Sequence, residues 1–321
     1  MSLTLSICIP TYNRSKYVSS QLKKLYEQID KYNLYDSVEI IVSNNASPDD
    51  TSEKVKKFLD CGLIYHEQAE NIGPDANFFT LFEMAKGQYV WLLGDDDCFT
   101  DDILPFIIKI VSKNNVDFLY LKPTGSVSGS VDRAGEILNN RDFFKRLLFN
   151  TSFMSSKIIR NTLIKENLEE SRSNFGDLMA YFYLFLKCLG ASKTCMISDS
   201  KEIFMEADNT GGYKFYQVWG RGVVDVLVKT EFGQDQKLLN MFKNDLLFKL
   251  IIPFTCGFRR NSLNSDLGND LPLEYMSKHF GTGWRSYVFS AYNNSPVPML
   301  KIYSIFLTMV NKYRGIRNKS V

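Results

Sequence analysis

The chain has 321 residues, 45% hydrophobic and 23% charged, a composition that is typical of a folded globular protein and excludes a disordered one. Its net charge of +2 argues against a strongly cationic nucleic-acid-binding protein, so we expect no nucleic-acid partner. The charge is uneven, because residues 1–120 sum to −7 and residues 121–321 to +9. The chain has only two histidines, which argues against a His-ligated zinc site and against a Ser–His–Asp triad. We therefore expect chemistry from carboxylates, amides and backbone donors.

Cysteine spacing and hydropathy indicate the compartment. None of the six cysteines forms a C-x-x-C pair, which argues against a zinc ribbon or a thioredoxin-like motif and predicts reduced thiols. The N-terminus has no basic segment followed by a long apolar stretch, so no signal peptide is expected. No window holds eighteen uninterrupted apolar residues, so no transmembrane helix is expected. These features predict a cytoplasmic protein.

The first 120 residues alternate between apolar strands and amphipathic helices. Strands are predicted at residues 3–10, 38–43, 63–66, 88–93 and 116–121. This order predicts an α/β fold with a Rossmann-like, mostly parallel sheet flanked by helices. Ligands of such sheets bind outside the carboxyl ends of the strands. Here those ends are Pro10–Arg14, Asn44–Ser47 and Gly94–Asp97.

The segment Ser47-Pro48-Asp49-Asp50 predicts the start of a helix. Ser47 is a good capping residue, and Pro48 suits the first helical position. The two acids favour the positive end of the helix dipole.

The remaining chain is predicted to divide into a middle segment and a helical extension. We predict three segments, 1–121, 122–222 and 223–321, with a lid or binding loop over the glycine-rich residues 208–222. The last 47 residues contain no Asp or Glu but seven Lys and Arg, and the run 297–310 is apolar. This pattern is typical of a helix on an anionic membrane face, but a core-packed helix with a solvated basic end explains it equally well.

Asp95-Asp96-Asp97 is the most informative motif. Three adjacent carboxylates at a strand end repel one another, and a bound cation would relieve the repulsion. Hard oxygen ligands of this kind suit Mg²⁺ or Mn²⁺, and such a cation usually bridges to phosphate. A solvated acidic turn is the alternative.

Polar residues follow the first two strands. The Asn44 and Asn45 amides can both donate to and accept from a nucleobase edge, although an Asn-rich turn is equally compatible with them. Tyr12 can stack on a base, and Arg14 can pair with phosphate. Further on, Asp177 precedes an apolar helix, where it can act as a general base or simply as a helix cap.

Four segments together resemble the family 2 glycosyltransferases with the GT-A fold, in order and in spacing. They are SICIPTYNR (6–14), EIIVSNNASPDDT (39–51), ENIGPDANF (70–78) and GQYVWLLGDDD (87–97). The last two are most similar to the abequosyltransferase-like branch of bacterial O-antigen enzymes. The resemblance covers about the first 120 residues.

The resemblance implies an inverting transfer of one sugar from a nucleotide donor. It implies that Pro10, Thr11 and Tyr12 line the nucleoside site, with Asn44 and Asn45 beside the base. Arg14, Asp95 and Asp96 would contact the nucleotide. Asp96 and Asp97 would hold Mg²⁺ or Mn²⁺ on the diphosphate, and Asp177 would deprotonate the acceptor hydroxyl. The acceptor is expected to be a lipid-linked oligosaccharide, with the enzyme peripheral on the inner face of the cytoplasmic membrane.

Three departures from the family pattern refine this expectation. Asn44-Asn45 stands where the family usually has an acidic pair, which leaves CDP and dTDP open beside UDP. Gly94 stands where the metal motif Asp-x-Asp-Asp has its first aspartate. The Gln-x-x-Arg-Trp motif of processive members is missing, which favours a single transfer. A nucleotidyltransferase and a non-catalytic sugar-nucleotide or glycan-binding module remain as alternatives.

Overall fold

In the computed structural model of the chain, the described residues are 3–114, 116–123, 135, 137–176, 178–204, 214–260, 272–296 and 298–300. They include one sheet, with helices on both of its faces. The strands are β1 Leu5–Thr11, β2 Val38–Asn44, β3 Ile64–Glu67, β4 Tyr89–Leu92, β5 Cys98–Phe99, β6 Phe118–Pro123, β7 Ile137–Leu138, β8 Lys157–Arg160 and β9 Cys195–Phe204. Their order is β3-β2-β1-β4-β8-β6-β9-β5, and β7 pairs with β9.

The half of the sheet formed by β3, β2, β1 and β4 is parallel, which confirms the predicted alternation. β1 is buried along its whole length because helices cover both faces of the sheet. Its register runs from Leu5 opposite Val38 to Thr11 opposite Asn44. This pairing places the carboxyl ends of β1 and β2 side by side.

The other half of the sheet is mixed. β8 lies antiparallel between β4 and β6, with Trp91 opposite Ile158. The strand predicted at 116–121 exists as β6, but it does not neighbour β4. A four-residue strand such as β8 shows no periodicity that a sequence pattern could reveal, and its pairing is decided by distant partners.

The helices that lie between β1 and β9 in the sequence pack their apolar faces into the protein. They are α1 Ser15–Tyr32, α2 Thr51–Lys56, α3 Pro74–Met84, α4 Ile103–Asn114, α5 Asn140–Leu147, α6 Asn161–Ser171 and α7 Ala180–Ala191. In α1 the apolar residues Val18, Leu22, Leu25 and Ile29 recur at helical spacing and are buried, as expected for an amphipathic helix.

The predicted capping role of Ser47 is wrong, because α2 begins at Thr51. Asp49 Oδ1 accepts the Thr51 N–H at 3.1 Å instead. Ser47 Oγ accepts the Asn13 N–H at 2.9 Å, so Ser47 joins two loops at the edge of the sheet.

The described residues group into two compact units, which lie within residues 1–125, 134–143 and 153–207 and within residues 126–133, 144–152 and 208–321. The first unit contains the sheet. The second is helical, as predicted, and Phe144 stacks on Phe232 at a centroid distance of 4.5 Å. Its helices are α8 Val223–Val228, α9 Glu231–Gln234, α10 Gln236–Leu246, α11 Ile252–Arg259, α12 Pro272–Phe280 and α13 Gly283–Asn294. The division into three segments stays a prediction.

Two sequence expectations concern the second unit. The described residues do not include residues 208–213 of the predicted lid. They also do not include residues 301–321 of the last 47 residues, which we call the basic tail. Residues Tyr216–Gly222, predicted as loop, form a π-helical segment instead. Among the helices that the structure describes, none is both long and apolar enough to cross a membrane.

Candidate active site

The segments that follow β1, β2 and β4 meet at one edge of the sheet, as the strand order predicts. Thr11 Oγ1 donates to Asp95 Oδ2 at 2.7 Å, which joins the end of β1 to the acidic motif. The Asn45 N–H donates to the Thr11 carbonyl at 3.0 Å, which joins the end of β2 to the same point. The structure thus brings together residues up to 84 positions apart in the chain.

Asp95 is the most deeply placed carboxylate of the motif. Burial raises its pKa to about 7, although the Thr11 hydroxyl and the Arg14 guanidinium act in the opposite direction. Arg14 Nη1 lies 3.7 Å from Asp95 Oδ1. Asp95 is only 6% exposed. Its hydrogen bond with Thr11 helps to fix the loop after β4.

Asp96 and Arg14 form a direct ion pair. The Arg14 side chain is 27% exposed, whereas the Asp96 side chain is 10% exposed. Arg14 is therefore the cation that balances the acidic motif in this structure. A guanidinium at the mouth of such a site can also pair with a phosphate, as the sequence predicts.

Asp97 is held by Ser155, whose hydroxyl donates to its Oδ2. Burial is the main cause that raises the pKa of Asp97 to about 7, and the nearby Asp96 charge adds to it. Ser155 Oγ also accepts the Gly94 N–H at 2.8 Å, and Ser155 O accepts the Trp91 indole N–H at 2.7 Å. Ser155 thus fixes both ends of the turn that carries the carboxylates.

Gly94, the departure from the family pattern, has a steric explanation. A Cβ at this position would lie 2.8 Å from Asp97 Oδ2 and 3.4 Å from Asp96 Oδ1. A side chain at residue 94 would therefore require the Asp97 carboxylate to move from the position that Ser155 gives it. Asp96 and Asp97 are the carboxylates that match the family motif, with Asp95 able to compensate for Gly94, and which of the three would hold a cation stays a prediction.

The sequence did not point to Ser155 or to Gln21 as part of this site. Gln21 lies on α1, and its Nε2 donates to the Gly94 carbonyl at 2.6 Å and to the Asp97 carbonyl at 3.0 Å. Ser155 lies in the short 3₁₀ turn Met154–Ser156 before β8. Neither residue belongs to a local motif, so only the tertiary fold reveals them.

The donor set fits a hard divalent cation. Asp96 and Asp97 offer carboxylate oxygens from adjacent residues, and a cation beside them would offset the repulsion that raises the pKa of Asp97. Among the described residues there is no group of three or more His, Cys, Asp or Glu that could hold a metal alone. Two carboxylates completed by substrate phosphates and water are the usual ligands of Mg²⁺.

Asn44 and Asn45 are both buried, and both amides already bond to the protein. Asn44 Nδ2 donates to the Tyr65 hydroxyl at 3.0 Å, and Asn44 Oδ1 accepts the Ser47 N–H at 3.1 Å. Asn45 Nδ2 donates to Asn71 Oδ1 at 2.9 Å, and Asn45 Oδ1 accepts the Ile72 N–H at 3.0 Å. The two amides therefore organise the surrounding loops, while contact with a nucleobase stays a prediction.

The other predicted site residues divide by exposure. Pro10 is buried within β1, opposite Ser43 of β2. Tyr12 is 44% exposed, as a ring that stacks on an incoming base must be. Asp177 lies outside the described residues, and its role stays a prediction.

The two raised pKa values predict how the stability of the metal-free protein depends on pH. Because burial raises the pKa of Asp95 and of Asp97 to about 7, the folded state keeps their protons up to about pH 7, whereas the unfolded chain releases them near the ordinary aspartate pKa of 3.8. The folded state therefore binds more protons in this window, so these groups lower the free energy of unfolding as pH rises. We expect Tm in EDTA to fall between about pH 5 and pH 7. The D95N/D97N variant should show a smaller fall, and an identical fall in both proteins would contradict the assignment.

Comparison with known proteins agrees with this geometry. Residues 6–165 match the model of the family described as glycosyl transferase family 2. The abequosyltransferase RfbV of Salmonella typhimurium is 37% identical over 108 residues, which are 33% of this chain and 32% of that protein. The glucosyltransferase WfgD of Escherichia coli is 26% identical over 159 residues, which are 49% of this chain and 55% of that protein. The matched region thus spans between a third and about half of these relatives.

Solved structures show the same fold at low identity. The Staphylococcus aureus TarS 1–349 complex with UDP-GlcNAc has a TM-score of 0.61 at 16% identity and covers 90% of this chain and 91% of its own. The Pyrobaculum calidifontis mannosyltransferase PcManGT, solved with GDP-Man and Mn²⁺, has a TM-score of 0.55 at 15% identity and covers 99% and 88%. The sheet order, the acidic turn and the family match together establish that residues 6–165 of this chain are a family 2 glycosyl transferase domain with the GT-A fold.

Proposed function

We propose that the chain is an inverting glycosyltransferase that moves one sugar from a nucleotide-sugar donor to a lipid-linked oligosaccharide in the synthesis of bacterial O-antigen or a related surface polysaccharide. The observation that supports it most is the convergence of Thr11, Arg14 and the acidic turn Asp95–Asp97 at the edge of the sheet. This edge is where α/β sheets bind nucleotides.

In this proposal the donor lies across the ends of β1, β2 and β4. Tyr12 stacks on the base, and Pro10 and Thr11 shape the floor of the nucleoside site. Asn44 and Asn45 hold the loops beside the base. Arg14 leaves Asp96 when the diphosphate arrives, because a phosphate offers the guanidinium an equivalent ion pair.

Asp96 and Asp97 are the residues that would hold Mg²⁺ or Mn²⁺. When bound, such an ion supplies positive charge against the charge that builds on the leaving nucleoside diphosphate. Ser155 keeps the Asp97 carboxylate turned toward Gly94 before the donor arrives. A positioned carboxylate needs no rearrangement during the reaction.

Asp177 is the proposed general base. Its carboxylate accepts the proton of the acceptor hydroxyl while that oxygen forms a bond to the anomeric carbon from the face opposite the diphosphate. The bond between the anomeric carbon and the phosphate oxygen breaks with its electron pair on the diphosphate. The configuration at the anomeric carbon therefore inverts.

Two relatives suggest the substrates. One is named an abequosyltransferase, and the other is named for a UDP-Glc donor and a GlcNAc-diphosphoundecaprenol acceptor. For this chain we propose a lipid-linked glycan acceptor and a CDP-, UDP- or dTDP-sugar donor, with a dideoxyhexose as the sugar that the first relative favours.

A thermal-shift screen of nucleoside diphosphates with and without Mn²⁺ tests donor binding. A ligand that binds only the folded state raises Tm, because it increases the free energy of unfolding. At a concentration of one hundred times its Kd the increase is about 2.7 kcal/mol. We expect the nucleoside diphosphate of one base to raise Tm most, and to do so only when Mn²⁺ is present. Equal shifts without Mn²⁺ would contradict the metal-bridged diphosphate.

A non-catalytic sugar-nucleotide or glycan-binding module is the alternative function. It would give the same thermal shift but no turnover. Mass spectrometry of a donor and acceptor incubation separates the two, because a transferase adds the mass of one sugar to the acceptor. Absence of that product with every donor that shifts Tm would favour the binding module.

The basic tail supports a peripheral position on the inner face of the cytoplasmic membrane, where the lipid-linked acceptor would lie. Deleting residues 298–321 should release the protein from anionic vesicles, because it removes five Lys and Arg together with the apolar run. A flotation assay checks this. Equal flotation of the truncated and full chains would contradict the assignment.

A further inference from the structure

The buried carboxylate of Asp75 binds a chain segment about a hundred residues further on. Asp75 lies in the first turn of α3 and is 4% exposed. Its Oδ2 accepts the N–H of Gly176 at 3.0 Å and of Leu178 at 3.2 Å, and its Oδ1 accepts the N–H of Ala180 at 3.3 Å. Backbone N–H groups that converge on one anion form a concave binding nest. The N–H groups of Gly176, Leu178 and Ala180 thus converge on this one carboxylate.

The backbone of the turn has a conformation that needs such support. Gly176 has a φ of 99° and Leu178 a φ of 58°, both in the left-handed region. Glycine adopts this region freely, but a leucine is disfavoured there because its Cβ crowds the carbonyl oxygen. Leu178 therefore keeps this conformation because surrounding contacts, including the bonds to Asp75, hold it.

Aromatic rings of α3 hold the chain on both sides of the turn. Phe79 contacts Phe175 edge to face at a centroid distance of 4.7 Å, and Phe78 contacts Tyr181 at 5.8 Å. These contacts fix where the segment lies against α3. The carboxylate between them fixes the direction of its backbone.

Capping of α7 does not account for all of these bonds. The helix begins at Ala180, so the Ala180 N–H is the only one of the three that belongs to the helix and lacks an intrahelical partner there. The Gly176 and Leu178 N–H groups precede the helix. Their bonds to Asp75 stabilise the turn itself.

We propose that Asp75 is a positioning residue for sugar transfer, because its bonds to the Gly176 and Leu178 N–H groups fix the backbone on either side of Asp177 in the sequence. The inference rests on the proposed function, in which Asp177 is the general base. A misplacement of about 1 Å at a reacting group costs roughly 100-fold in rate. Asp75 would then contribute to kcat without touching the substrate.

The Asp75→Asn variant tests the contact directly. The amide has one acceptor oxygen in place of two, and its NH₂ group faces a donor. We expect faster amide hydrogen exchange in peptides spanning residues 172–182. We also expect kcat to fall about 100-fold while the donor KM changes less than about threefold.

Asp235→Asn is the matched control. Asp235 Oδ1 accepts the N–H groups of Lys237 at 2.8 Å and Leu238 at 3.0 Å at the start of α10, in the other compact unit. The same chemical change is made there at a helix N-cap, where asparagine still accepts the N–H groups, so it should change Tm little and kcat less than about twofold. Equal losses of kcat in both variants would overturn the proposal.

A double-mutant cycle with Asp177→Asn separates positioning from a structural effect. If Asp75 acts through Asp177, adding Asp75→Asn to Asp177→Asn should lower kcat less than about twofold further. A full second loss of about 100-fold, or unchanged exchange in Asp75→Asn, would overturn the positioning role alone. Full activity of Asp177→Asn would instead contradict the proposed base. If Asp75→Asn does not fold, Asp75→Glu, which moves the carboxylate by one methylene, takes its place with the same expected outcomes.

Discussion

Replacing Asp97 with alanine should lower metal-dependent sugar transfer about 1000-fold, because charge stabilisation by a bound metal contributes several kcal/mol to the transition state. The fold should survive. Burial already raises the pKa of Asp97 to about 7, so the charged form is disfavoured in the metal-free protein. Removing the carboxylate should therefore leave Tm in EDTA unchanged or higher. Initial rates at saturating donor, measured over a Mn²⁺ series, check the result.

Two further variants sharpen this test. Asp97→Asn keeps the size of the side chain and an oxygen for the Ser155 hydroxyl, so its loss of activity reports the lost charge. Asp101→Ala removes an exposed aspartate just beyond the acidic turn and should leave the rate unchanged. Near-normal turnover of Asp97→Ala would remove Asp97 from the site.

Replacing Asp177 with asparagine should lower kcat between about 100-fold and 10,000-fold, which is the range that general base catalysis contributes. An amide cannot accept the proton of the acceptor hydroxyl at neutral pH, whereas the proposed donor site at the ends of β1 and β4 should be unaffected. We therefore expect the thermal shift with nucleoside diphosphate and Mn²⁺ to equal that of the wild type.

The competing interpretation of Asp177 is a helix cap. In that case Asp177→Asn would lower Tm slightly at most and leave kcat close to normal, because asparagine itself caps helices well. Measuring kcat and Tm on the same preparation distinguishes the two. A loss confined to Tm would contradict the assignment of Asp177 as the base.

The sequence was sufficient to predict the parallel half of the sheet. β1, β2 and β4 are apolar and uninterrupted, and α1 carries a clear stripe of Val18, Leu22, Leu25 and Ile29. Such local signals do not depend on distant partners. The meeting of the strand ends follows from parallel topology, so Thr11 and Asp95 could be expected to lie close together.

Features that depend on tertiary contacts could not be predicted. β8 is four residues long and enters the sheet through antiparallel pairing with β4 and β6. Ser155 is a single serine before that strand, and its role appears only when its hydroxyl meets Asp97 and the Gly94 N–H. The start of α2 was predicted too early because Ser47 bonds to another loop rather than to its own helix.

Diffraction from crystals soaked with Mn²⁺ and a nucleoside diphosphate, recorded for the anomalous signal of manganese, tests the central claim most directly. We predict a single strong peak in contact with Asp96 and Asp97, bridged to the diphosphate, with Arg14 moved from Asp96 onto a phosphate. An empty acidic turn, with Arg14 still paired to Asp96 while the nucleotide is bound elsewhere, would contradict the account.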